Sequence, residues 1–134
     1  MTTARYGVTR TPGQLFALAF GAVYALVGVL GFIGPLVPGG KLLGIFGINP
    51  LHNVVHLAVG ALFLFGSTSP ANAKTINLVV GVVYLLVGIL GLLNLVVPGL
   101  IANNGADTGL HLVTGALALY FGTVGARARS SVTA

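Results

Sequence analysis

Apolar residues gather into four long runs, broken by short stretches rich in Gly, Pro, Asn and Ser. The runs cover about Gln14 to Val37, Pro50 to Ser67, Lys74 to Val97 and Asp107 to Val124, and none carries a charged residue in its interior. Each approaches the roughly 20 apolar residues needed to cross a bilayer core, so the pattern predicts four transmembrane helices. Thr11-Pro12, Asn49-Pro50 and Ser69-Pro70 mark three starts, since each sets a side-chain acceptor before a proline at the first helical position. Pro38 and Pro98 mark the expected ends of the first and third helices.

The chain also repeats itself. "GAVYALVGVLGF" from Gly21 returns as "GVVYLLVGILGL" from Gly81, and Pro38-Gly39 returns as Pro98-Gly99. "HLAVGALFLFG" from His56 is echoed by "HLVTGALALYFG" from His111. The offset is sixty residues in the first segment and fifty-five in the second. The pattern predicts an all-α transmembrane four-helix bundle built from two tandem hairpins, about 12–68 and 70–125, within a single domain 1–134. Two spans per copy give both copies one orientation, so the pseudo-axis runs along the membrane normal. Gly21 and Gly28, like Gly81 and Gly88, stand seven residues apart on one helix face. Small residues there let helix backbones approach closely, and helix packing is the expected role of these four. Tyr24 and Tyr84 fall mid-span, where each hydroxyl needs a partner, either a backbone carbonyl or the other tyrosine.

Charge then adds direction. Of 134 residues 56% are hydrophobic and only 5% charged, against roughly 25% charged in soluble domains. The net charge of +5 comes from six scattered cations with no clustered basic face, which argues against nucleic acid as a partner. Arg5, Arg10, Lys74, Arg127 and Arg129 fall on one side of the four runs, and Lys41 with Asp107 on the other. The positive-inside rule then predicts a multi-pass plasma-membrane protein with both termini in the cytoplasm. The first run is too long for a typical signal-peptide core and has an internal copy, so cleavage is not expected.

The candidate chemistry sits in the histidines. At the fifty-five-residue offset His56 corresponds to His111, and His52 to Asp107, the sole acidic residue. His52, His56, Asp107 and His111 therefore fall at one depth near the outer rim. Three imidazoles and a carboxylate suit zinc or another borderline divalent metal. Alternatively, His56 and His111 are the axial ligands of a b-type haem. The simplest reading gives them no cofactor: His52 at the water interface, His56 bonded to His111 or a loop carbonyl, and Asp107 as the N-cap of the fourth helix.

Other chemistry finds little support. There is no cysteine, no phosphate-binding glycine motif and no nucleophile–base–orienter set, so no enzyme is expected. Asn77, Asn94 and Thr114 are better read as helix-to-helix polar contacts than as a transport pathway. "PLVPGGKLLGIFGIN" is apolar and too short to span; it is expected in the headgroup region or folded over the bundle. The expected partners are the lipid bilayer and either further copies of the chain or a larger membrane complex in which it is an accessory component.

The basic N-terminus followed by "FALAFGAVYALVGVLGF" and "NPLHNVVHLAVGALFL" resembles a family of small four-helix membrane proteins widespread in actinobacteria and described as a domain of unknown function. The resemblance spans Arg10 to Gly125 and is most specific from Asn49 to His56. It implies an integral membrane location and supplies no catalytic residue.

Overall fold

The computed structural model describes residues 9–96 and 98–125. Four helices dominate: α1 (Pro12–Leu30), α2 (Pro50–Gly66), α3 (Pro70–Leu92) and α4 (Gly105–Thr123). They form an all-α bundle of two hairpins, α1 on α2 and α3 on α4. Phe16, Ala17 and Tyr24 of α1 share one buried core with Phe63 of α2, Val80 and Tyr84 of α3 and Ala118 of α4. At the end nearer the termini, Phe16 stacks on Phe20 at 4.3 Å and on Phe121 at 4.9 Å, and meets Phe63 edge-on. Such aromatic pairs contribute about 0.5–1.5 kcal/mol each beyond area burial.

Glycine decides how close the helices come. A Cβ on Gly21 would lie 2.8 Å from Leu64, and one on Gly28 would lie 2.8 Å from Leu57. The second hairpin repeats this, with Gly81 against Leu119 and Gly88 against Leu112. Approached from the partner helix, a Cβ on Gly60 would come within 2.6 Å of the Ala25 backbone nitrogen, and one on Gly115 within 2.8 Å of that of Leu85. All three pairs keep the offsets of sixty and fifty-five residues read from the sequence. The outward faces, by contrast, are apolar: Leu15, Val23, Leu26 and Val29 of α1 and Val79, Val82, Leu86 and Ile89 of α3 are all at least half exposed. Among the described residues, the helices long and apolar enough to cross a membrane by length and composition are α1 and α3. α2 has 17 residues, about 25 Å of rise, and α4 has 19.

Helix ends differ from the sequence expectation at three places. α1 stops at Leu30 rather than near Pro38, because Pro35 has no N–H for the Gly31 carbonyl and its ring would clash there. α3 stops at Leu92 rather than near Pro98. Asn94 adopts a left-handed φ of 56°, the Leu95 N–H returns to the Leu90 carbonyl and the Asn94 N–H to that of Gly91. This is a Schellman ending with asparagine in the usual glycine place. The third difference is at α4, where Asn104 is the N-cap and Asp107 the third helical residue. Lys74 stands in the second turn of α3, which begins at Pro70.

Residues 31–49 fold back over the bundle. Two short antiparallel strands, β1 (Lys41–Leu42) and β2 (Phe46–Gly47), are joined by a turn in which Leu43 and Gly44 both have positive φ. Leu42 and Ile48 are buried and anchor this hairpin, whereas Leu43 and Ile45 project outward.

Candidate metal centre

The loop ends of α2 and α4 are built on a matched pair of asparagines. Asn49 caps α2 by accepting from the His52 N–H, while its side-chain amide donates to the Leu100 carbonyl. Asn104 caps α4 by accepting from the N–H groups of Ala106 and Asp107, and donates to the Ile45 carbonyl. Caps and acceptors are both fifty-five residues apart, so each repeat's cap is tied to the other repeat's loop. The first turn of each of these helices is thereby held by the opposite repeat's loop.

This brings His52, His56 and His111 together. A ring nitrogen of each lies within 4.8 Å of the others, and all three residues are buried. The His52 and His56 rings meet edge-on at 4.5 Å, and His52 lies 6.2 Å from His111. Behind them Tyr24 packs against His56 at 5.3 Å and Tyr84 against His111 at 5.0 Å, again at the repeat offsets.

Hydrogen bonds set the chemistry of each ring. His52 Nδ1 lies 2.9 Å from the Gly47 carbonyl oxygen, which can only accept, so Nδ1 donates and Nε2 is the nitrogen a neutral ring offers to a ligand. A ligating histidine is commonly oriented by this kind of bond. Neither His56 nitrogen has a protein partner, and neither has His111 Nδ1. Buried polar atoms without partners are uncommon, and here several converge on one place.

Asp107 is absent from that convergent group. Its Oδ2 accepts from the Gly47 N–H at 2.9 Å and from the Asn104 N–H at 2.8 Å. It thus holds the peptide segment whose carbonyl orients His52, and acts on the cluster through β2. The four-residue ligand set expected from sequence becomes three histidines and one positioning carboxylate. A capping box needs its acidic residue three positions after the cap, which is why Asp107 serves at that position and not as the cap. The signal for Asn104 was present in the sequence, since it stands fifty-five residues after Asn49.

Residues 14–124 match a family described as a domain of unknown function (DUF4383). The chain belongs to that family. No curated protein and no solved structure matches it. This DUF4383 chain therefore offers its site only through its own geometry. Three imidazole nitrogens suit zinc, cobalt, nickel or copper in their divalent states. A porphyrin needs a flat slot between two facing imidazoles, but His56 is hemmed by His52 and Tyr24 and His111 by Tyr84. The arrangement fits a single small ion better than a macrocycle.

The other polar residues singled out by sequence lie elsewhere. Asn77 is fully buried on α3 and donates to the Gly13 carbonyl of α1 at 3.1 Å. The Tyr24 hydroxyl bonds Thr114 at 2.9 Å, and the Tyr84 ring meets the Tyr24 ring edge-on at 5.6 Å.

Proposed function

We propose that this protein is a four-pass integral membrane protein with cytoplasmic termini that holds a divalent transition-metal ion on His52, His56 and His111. The outward apolar faces support the membrane part, because a water-soluble domain rarely exposes patches this extensive. α2 and α4 are paired with α1 and α3 by corresponding glycine contacts, so all four cross together, with the shorter pair at the low end of the spanning range. Among the described residues, Arg10 and Lys74 lie at the end of the bundle bearing the termini and Lys41 at the opposite end, which supports cytoplasmic termini by the positive-inside rule. Arg5, Arg127 and Arg129, which weigh in the same direction, lie outside the described residues.

The single observation behind the metal is the convergence of three buried imidazoles, with one nitrogen of each within 4.8 Å of the others and both His56 nitrogens and His111 Nδ1 unpartnered among the described residues. Asp107 Oδ2 is engaged by two backbone amides and its Oδ1 is buried without a partner, and the carboxylate stands outside the group of converging imidazole nitrogens. We therefore read the role as metal holding, in a homo-oligomer or as an accessory component of a larger membrane complex, and not as catalysis.

Elemental analysis of the full chain in mild detergent, with cobalt(II) as a spectroscopic probe, tests this. About one ion per chain and a tetrahedral cobalt spectrum are expected, and His56→Ala should abolish both. Asp107→Asn should weaken binding roughly ten- to a hundredfold by loosening Gly47 and hence His52. Because ligation needs neutral imidazoles, affinity should fall as the pH is lowered. Equal metal content in the parent and His56→Ala proteins would overturn the metal reading.

A further inference from the structure

A cavity of about 210 Å³ opens between α2 and α3 under the loop that joins α3 to α4. Its walls are hydrocarbon, chiefly Val55 and Val59 from α2 and Val83, Val87 and Leu90 from α3. Val55 and Val83 are respectively 36% and 48% exposed, so the mouth lies on the outer apolar face of the bundle. Its inner end is polar, with His52, Tyr84, Asn103 and His111. Tyr84 and His111 are both more than nine-tenths buried, yet the Tyr84 hydroxyl and His111 Nδ1 have no partner. Asn103 Oδ1 is unpartnered as well.

The free hydroxyl follows from the repeat. Tyr24 bonds Thr114, and the residue corresponding to Thr114 in the first hairpin is Val59. At the position corresponding to Thr114 the first hairpin thus offers no hydroxyl, and Val59 and Tyr84 both line the cavity. A buried phenol without a partner costs free energy unless a ligand supplies one.

We propose that this crevice binds one membrane-dissolved amphiphile with a carbonyl or carboxyl head and a hydrocarbon body. The head accepts from the Tyr84 hydroxyl and reaches His111, while the body leaves between Val55 and Val83 into the lipid. The cavity is smaller than typical small-molecule pockets, so it takes the head and the first carbons and not a whole lipid. A hydrocarbon chain alone would leave the polar atoms unpaired, which selects for the head. The inference rests on the membrane reading above and needs no ion, but its polar end shares His52 and His111 with the metal cluster, so head and ion are alternative occupants of that end.

The test uses the full chain in phosphatidylcholine vesicles with a chelator present throughout, so that no bound ion contributes. Two photoreactive probes of equal length are compared: a diazirine-bearing palmitic acid and a diazirine-bearing hexadecane. The acid probe should label Val55, Val83 and Val87 several times more strongly than Val23 and Leu26 on the α1 face. Val83→Trp, which fills the mouth, should reduce that labelling several-fold, and Val82→Trp on the adjacent outward face should not. Tyr84→Phe should reduce labelling by the acid but leave the hexadecane unchanged. Even labelling of all outward faces, or equal behaviour of the two probes in Tyr84→Phe, would mean ordinary lipid contact only and overturn the proposal. Carbonate extraction of the same vesicles reports separately on membrane integration, so failure of that reading is distinguishable.

Discussion

The two hairpins share one packing scheme, and among the inward side chains in which they differ, three bear on the histidine end of the bundle. Both set a tyrosine edge-on to a histidine, both cap the second helix with an asparagine, and both bring the helices together on glycine. Where the first hairpin has His52, Asn53 and Val59, the second has Asp107, Thr108 and Thr114. The shared residues build the scaffold, while the differing ones create the asymmetric chemistry. His52 adds a third imidazole to a symmetric pair, Asp107 holds the strand that orients it, and the Val59–Thr114 mismatch frees one tyrosine hydroxyl. A duplicated membrane hairpin can thus acquire a site by divergence at a few inward positions without changing its helix contacts.

The shared scaffold should break most easily at Gly60 and Gly115, where an added Cβ meets partner-helix backbone and not a movable side chain end. Gly60→Ala and Gly115→Ala should each cost about 1–3 kcal/mol through overpacking, read as a lower thermal midpoint in detergent. Gly60→Ala should be the more damaging, since its nearest contact is 2.6 Å against 2.8 Å. Gly109→Ala on α4 meets nothing within 4 Å and should instead stabilise by about 0.5–1 kcal/mol through reduced chain entropy. Equal behaviour of all three would show that the helices are not held at glycine-limited distance.

That scaffold was largely legible in the sequence, because apolar runs, proline starts and a self-repeat are local signals. The ends of α1 and α3 were not, because Pro38 and Pro98 matched each other while the residues that act were Pro35 and Asn94. The histidine cluster was half legible. Repeat alignment put His56 opposite His111, but nothing local shows that Asp107 binds Gly47, sixty residues away, in place of facing a metal. The crevice was hidden for the same reason: Val59 against Thr114 reads as a minor mismatch until Tyr24 is seen to reach across ninety residues to Thr114.

The tyrosines offer a paired test of the asymmetry. Tyr24→Phe removes a hydrogen bond and leaves the fully buried Thr114 hydroxyl without it, at a cost of about 1 kcal/mol. Tyr84→Phe removes a hydroxyl that has no protein partner and should be neutral or slightly stabilising in detergent. Chemical or thermal unfolding of the two variants side by side would decide this. A Tyr84→Phe loss as large as that of Tyr24→Phe would mean that Tyr84 has a protein partner after all, and would remove the asymmetry between the hairpins.

The smallest expected effect is also the sharpest, since it tries to restore the lost symmetry. Val59→Thr would place a hydroxyl at the position corresponding to Thr114, within reach of Tyr84 if the two hairpins are equivalent in side-chain detail. Elsewhere in a core this exchange is unfavourable, because it buries a hydroxyl with nothing to bond. Here the new hydroxyl and the unpartnered Tyr84 hydroxyl would satisfy each other, so a gain of about 0.5–1 kcal/mol is expected. The same change should weaken acid-probe labelling of the crevice, because the group that holds the head would already be bonded. A destabilised Val59→Thr protein would show that the hairpins diverge in backbone as well as in sequence at this level. A stabilised one would place the difference between a closed hairpin and one open to lipid in a single methyl-for-hydroxyl exchange.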